Sequence, residues 1–93
     1  MLQERRNLFM VYQTQGTCSR EISFDVEGNK LKNVSFKGGC NGNLKGIGKL
    51  VEGMDIDEVI NRVEGIQCGA RPTSCPDQLA RALKQYKAEH ASN

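Results

Sequence analysis

The stretch EISFDVEGNKLKNVSF, Glu21 to Phe36, constrains the fold more than any other part of this 93-residue chain. Ile22, Phe24 and Val26 recur at every second position, and Val34 and Phe36 keep that period beyond Gly28 and Asn29. Successive side chains of a strand point to opposite faces, so the alternation predicts two strands, each with one apolar face. Gly28 and Asn29 both tolerate positive φ and predict a two-residue hairpin turn between them. Upstream, Leu8 to Gln13 (LFMVYQ) is a compact apolar run suited to a further strand.

After Gly38-Gly39 the period becomes helical. LKGIGKLVEG sets Leu44, Ile47, Leu50 and Val51 on one stripe, interrupted by Gly46 and Gly48. Each of those glycines costs about 1 kcal/mol relative to Ala in a helix, which points to close backbone packing or an irregular first turn. DIDEVINRVEG is cleaner: Asp55 caps, Glu58 completes a capping box, Ile56, Val59, Ile60 and Val63 form the stripe, and Gly65 stops it. A last helix runs from about Pro76 to about Glu89, with Leu79, Ala82, Leu83 and Tyr86 inward. The chain has no repeat or linker and reads as one domain, 1–93, with an ordered core of about 8–88. The expected fold is α+β: a small antiparallel sheet of two or three strands with one hairpin, covered by three helices in two layers.

A domain this short lies near the lower limit for folding on its own core. With no Trp, two Tyr and three Phe, that core must be mostly aliphatic, so a covalent or metal cross-link would add useful stability. A net charge of +2 is too mild to point to nucleic acid. Arg81, Lys84 and Lys87 recur at intervals of three on the last helix, but a basic face near a helix C-terminus is favourable in its own right. GGCNGNLKGIGK lacks the spacing of a phosphate loop, since Leu50 follows Lys49 where Ser or Thr is required. The N-terminal residues do not resemble a signal peptide, and no run approaches the ~20 apolar residues of a membrane span. A cytoplasmic protein is expected, where cysteine clusters more often bind metal or cycle redox states than form lasting disulfides.

The four cysteines, Cys18, Cys40, Cys68 and Cys75, have 21, 27 and 6 residues between them, which is not the paired C-x-x-C pattern of a zinc ribbon. Position says more than spacing, for none falls on an apolar stripe and all lie in turns at element ends. Cys75 meets the start of the last helix, either as its cap with Pro76 first, or just after a Ser74 cap with Asp77 as return partner. Unpaired N–H groups there stabilise an adjacent anion such as a thiolate. Gly38, Gly39 and Gly42 allow N–H groups to turn toward Cys40 in the same way. Metal binding therefore ranks ahead of inert packing and of disulfides. A site with all four thiolates would be closed and structural, suited to zinc or to an iron–sulfur cluster. A Cys68–Cys75 dithiol pair is the redox alternative. A cysteine nucleophile lacks a base, because the one histidine, His90, falls in the tail AEHASN. Asp77 and Glu64 are better suited to supporting the site, and Asn41, Asn43 and Thr73 to hydrogen bonding its loops.

TSCPD itself, Thr73 to Asp77, resembles the signature of the TSCPD domain family. The likeness continues through GTCSREISFDVEGNKL, GGCNGN, KLVEGM and GIQCGARPTSCPDQLARAL, about three quarters of the chain from about Gly16 to Leu83. Family members are short stand-alone proteins or C-terminal domains of adenosylcobalamin-dependent ribonucleotide reductases. The resemblance implies that Cys18, Cys40, Cys68 and Cys75 chelate one metal, and it implies a ribonucleotide reductase or another protein as partner. The reductase reaction needs a large barrel and a nucleotide site, so this chain is expected to act as an accessory and not as an enzyme by itself.

Overall fold

The computed structural model describes residues 7–17, 19–39 and 41–90. In chain order these form β1 (Asn7–Gln13), β2 (Ser19–Glu27), β3 (Lys30–Gly38), α1 (Asn41–Val51), α2 (Ile56–Val63) and α3 (Cys75–His90). The strands make one open antiparallel sheet in the order β1-β2-β3. Ile22, Phe24, Val26 and Leu31 project from its inner face into a core completed by Val51, Ile56, Val59, Ile60, Leu79, Leu83 and Tyr86. The α+β architecture is as expected. α3 extends through His90, so that residue belongs to the helix and not to a tail.

Two bulges make the apolar pattern fit the sheet. Leu31 is fully buried, and the next core-facing residues of β3 are Val34 and Phe36. A spacing of three from Leu31 to Val34 breaks the strict period of two. The register slips by one residue at this point, between the pairs Ser23↔Ser35 and Asp25↔Lys32, and Asn33 takes φ 53°. Asparagine tolerates this left-handed conformation better than most residues. It is held there by its backbone N–H, donated to Glu52 Oε1 at 2.8 Å, and by Nδ2, donated to Asp25 Oδ2 at 2.9 Å. A second slip, between Ser19↔Gly38 and Glu21↔Lys37, turns Ser19 inward three residues before Ile22. Bulges commonly re-aim side chains beside functional sites.

Between β2 and β3 the turn is Gly28-Asn29, with positive φ at Gly28 alone (65°). That is the demand of a type II′ turn, not of type I′, which needs positive φ at both residues. The chain linking α1 to α2 then runs along β3. Gly53 N–H donates to Leu31 O at 2.7 Å, Leu31 N–H to Met54 O at 2.8 Å and Ile56 N–H to Asn29 O at 3.0 Å.

Asp55 caps α2 by accepting from Asp57 N–H at 3.2 Å, and Gly65 ends it with φ 88°. The Glu58 carboxylate is engaged one turn forward by Arg62 Nε at 2.6 Å, not back at the cap as a capping box requires. On α1, Leu44 and Val51 are buried and Ile47 packs on the core, but Leu50 is 78% exposed, contrary to its expected place on the stripe. At ~100° per residue Leu50 stands well round from the line joining Leu44 and Val51.

Gly48 is where α1 approaches the sheet: a Cβ there would lie 3.0 Å from Val34 O, whereas one at Gly46 would meet nothing. Gly46→Ala should therefore stabilise the fold by about 0.5–1 kcal/mol through helix propensity alone. Gly48→Ala should destabilise it by about 1 kcal/mol or more, because helix and strand must separate. Urea denaturation of both variants checks this pair of opposite signs.

Candidate metal centre

α3 starts from a loop in which, among the described residues, no buried side-chain nitrogen or oxygen lacks a hydrogen-bond partner. Ser74 is the cap: its Oγ accepts from Asp77 N–H at 3.1 Å, and its carbonyl accepts from Gln78 N–H at 2.8 Å. Cys75 is the first helical residue and Pro76 the second, where a missing N–H costs no intrahelical bond. Of the two caps the sequence allows, the hydroxyl is used, and Ser74 Oγ also donates to Ile66 O at 2.6 Å.

The Asp77 carboxylate does not return to the Ser74 N–H as a capping box would have it; both of its oxygens are engaged elsewhere. It is buried, and its Oδ1 accepts from Gly65 N–H at 2.7 Å. Its Oδ2 accepts from the Thr73 hydroxyl at 2.5 Å and from Arg81 Nε at 3.1 Å. Burial works to raise this carboxyl, but the bonds from Thr73 and Gly65, with Arg81, outweigh it and hold the group below its ordinary value. Gln78, also buried, donates Nε2 to Thr73 Oγ1 at 2.9 Å. Its Oε1 accepts from Gln15 N–H at 3.0 Å, which joins the helix start to the β1–β2 loop.

Cys75 is buried, and its Sγ lies 3.0 Å from Ser19 Oγ, a hydrogen bond across 56 positions of chain. Ser19 is steadied in turn: Thr14 Oγ1 donates to its carbonyl at 2.6 Å, and Thr17 Oγ1 lies 3.2 Å from its hydroxyl. Cys68 is exposed and closes its own loop, donating N–H to Thr73 O at 3.2 Å and accepting from Arg71 N–H at 2.9 Å. Both thiols are free, and both border one cavity of about 530 Å³ with Gly42, Asn43, Leu50 and Ile66.

Cys18 and Cys40 lie outside the described residues, and among the described residues no three His, Cys, Asp or Glu side chains converge. The described neighbours of those two cysteines do come together. Ser19 pairs with Gly38, and a Cβ on Gly39 would lie 3.3 Å from Ser19 N and 2.9 Å from Leu44 Cδ1. Gly16, two residues before Cys18, packs on Thr73, with 3.1 Å from an added Cβ to Thr73 Cγ2. The segments flanking all four cysteines thus meet at one end of the sheet.

The cations of α3 are satisfied within the fold. Arg81 pairs with Asp77, Lys84 with Glu64, and Lys87 with Asp57. The hydrogen bond from Lys87 holds the Asp57 carboxyl below its ordinary value. Among the described residues no helix is long and apolar enough to cross a membrane.

Ser19 and Gln78 are site residues that sequence reasoning missed. The only signal for Ser19 was its phase, three positions before Ile22 and so outward in an unbulged strand. For Gln78 it was an uncharged polar residue one position before the inward Leu79.

These features define a small α+β cysteine-bearing domain in which a capped helix start holds one buried thiol against the sheet. The chain belongs to the TSCPD domain family, which matches residues 2–87 and so takes in β1 and most of α3 beyond the motifs themselves. No curated protein and no solved structure matches it.

Asp77→Asn should cost about 1–3 kcal/mol at neutral pH, because three donors lose their anionic acceptor. A carboxyl held low in the folded state stabilises fully above its ordinary value of 3.8 and less as pH falls through the folded value. The gap between wild type and Asp77→Asn should therefore narrow below pH 4, as read by urea denaturation across pH on the two proteins in parallel.

Proposed function

We propose that the chain is a metal-binding module in which Cys18, Cys40, Cys68 and Cys75 close a structural site for zinc, with an iron–sulfur cluster as the other occupant that four thiolates suit. The observation that carries this reading is the position of Ser19. It follows Cys18 in the chain, pairs with Gly38 beside the Gly39–Cys40 segment, and is hydrogen-bonded to Cys75. Cys68 borders the same cavity as Cys75. The donor set fits a soft, thiophilic metal, since both oxygens of Asp77, the nearest carboxylate in sequence to Cys75, are already engaged by Gly65, Thr73 and Arg81. Bound metal would tie the β1–β2 loop and the β3–α1 corner to the start of α3. In return the Ser19 hydroxyl would donate to the Cys75 thiolate and orient it.

The role that follows is accessory. The module holds a metal for structure and presents the exposed apolar residues beside it, Leu50 and Ile66, to a partner protein. Through the family's link to ribonucleotide reductases, that partner is proposed to be a reductase of deoxynucleotide synthesis in the cytoplasm. The second reading is favoured by two free thiols on one cavity: Cys68 and Cys75 give up two electrons and two protons to a disulfide of the partner.

Protein purified without chelator should carry about one equivalent of zinc, or iron with sulfide, and lose it in Cys18→Ser or Cys75→Ser. Stripping the metal should lower stability by several kcal/mol, as in small zinc domains where binding contributes about 10–16 kcal/mol. Elemental analysis and thermal melts read both. Less than about a tenth of an equivalent of either metal sinks the site, and a reversible Cys68–Cys75 disulfide in that case supports the redox reading.

A further inference from the structure

The two edges of the sheet are treated differently. Along β3 the α1–α2 linker occupies the backbone of Asn29 and Leu31, and the Glu52 side chain takes the N–H of Asn33. β3 also carries a bulge, a common protection of strand edges. β1 has none of this. Its seven residues, NLFMVYQ, contain no charge, Pro or Gly and pair with β2 in an unbroken register, and among the described residues no segment pairs with its other side. On its outer face Phe9 is 64% and Val11 48% exposed. On the inner face Met10 and Tyr12 are only half-buried, because α1 packs chiefly on β3, and α3 meets the sheet at β2.

We infer that β1 is a homodimer edge, on which a second copy of this chain adds its own β1 antiparallel to form one continuous six-stranded sheet about a two-fold axis at Met10. The strand is complementary to itself in that register. With Met10 opposite Met10 of the second copy, Phe9 falls opposite Val11 and Val11 opposite Phe9, so two aromatic–β-branched pairs form on the outer face. On the inner face Met10 and Tyr12 of both copies meet in the gap between the two helical layers. An isologous pairing of this kind closes at two and leaves only the protected β3 edges outside. A seven-residue strand pair is about 23 Å long, an interface near the small end of specific association, so the expected Kd is on the order of 10 µM.

The test uses the full chain, and its readout is mass by light scattering or sedimentation, independent of whether the cysteines hold metal. Wild type should go from monomer to dimer between about 1 and 100 µM. Phe9→Lys with Val11→Lys sets like charges opposite one another twice and should weaken the dimer at least about tenfold. Phe9→Glu with Val11→Lys sets opposite charges in the same places and should restore it. Phe9 is largely and Val11 about half exposed in the single chain, and neither belongs to the core, so thermal melts of the monomers should differ little. A wild type that stays monomeric at about 1 mM, a species larger than a dimer, or a dimer equally strong in all three proteins would overturn the proposal.

Discussion

The carboxylate of Asp77 is the group on which the cysteine-bearing end of the molecule depends. It accepts from the end of α2 through Gly65 N–H, from the loop before α3 through the Thr73 hydroxyl, and from α3 itself through Arg81. A buried anion costs several kcal/mol to desolvate, and these three donors offset that cost. The same bonds fix where Ser74 and Cys75 stand relative to the sheet. With Thr73 oriented, Gln78 reaches both its hydroxyl and the backbone of Gln15, and the β1–β2 loop is drawn against the helix start.

From the other side, a bulge does the complementary work. Without the extra residue between Ser19 and Glu21, Ser19 would be in phase with the outward residues of β2, far from Cys75. With it, a polar side chain sits in the inner layer at the one place where a thiol needs a hydrogen-bond partner. Sheet and helix thus each carry a local irregularity, a bulge on one and a capped turn on the other, and the Ser19–Cys75 bond joins the two. Irregular backbone concentrated at one end of an otherwise regular fold is the usual mark of a site.

Elements with a sustained period were readable in the residues. The hairpin around Gly28, the stripe Ile56–Val59–Ile60–Val63 and the inward set Leu79, Ala82, Leu83 and Tyr86 follow from spacing, because burial of one face decides them. Features set by a single backbone angle or a competition between near-equal groups were not. Leu31 and Val34 conflict with period two until Asn33 adopts φ 53°, and nothing in an isolated strand announces that choice. Ser74 and Cys75 compete for the cap, and the decision comes from Ile66 O, eight residues upstream of Ser74. Leu50 belongs to an apolar run by composition yet lies at the margin of the helical face, so tertiary packing places it in solvent. Of the cysteine site, Cys75 at a helix start was legible and its contact with Ser19 was not, while Cys18 and Cys40 lie outside the described residues.

Where charge and apolar surface fall also bears on what this molecule recognises. The three cations spaced along α3 are each matched by an acid on the same fold, and two of those acids, Glu64 and Asp57, come from α2 or its C-cap. A face neutralised in this way offers little field to a polyanion, since phosphate binding draws on cations that are free to displace counterions. Around the cavity of Cys68 and Cys75 the balance is reversed: Leu50 and Ile66 stand exposed beside Pro76 and half-buried Ile47. A large exposed aliphatic such as Leu50 is unremarkable alone, but grouped apolar side chains around a thiol pocket favour recognition by shape and desolvation. This end of the domain therefore differs from the outer face of α3: it groups apolar side chains around sulfur instead of pairing charges.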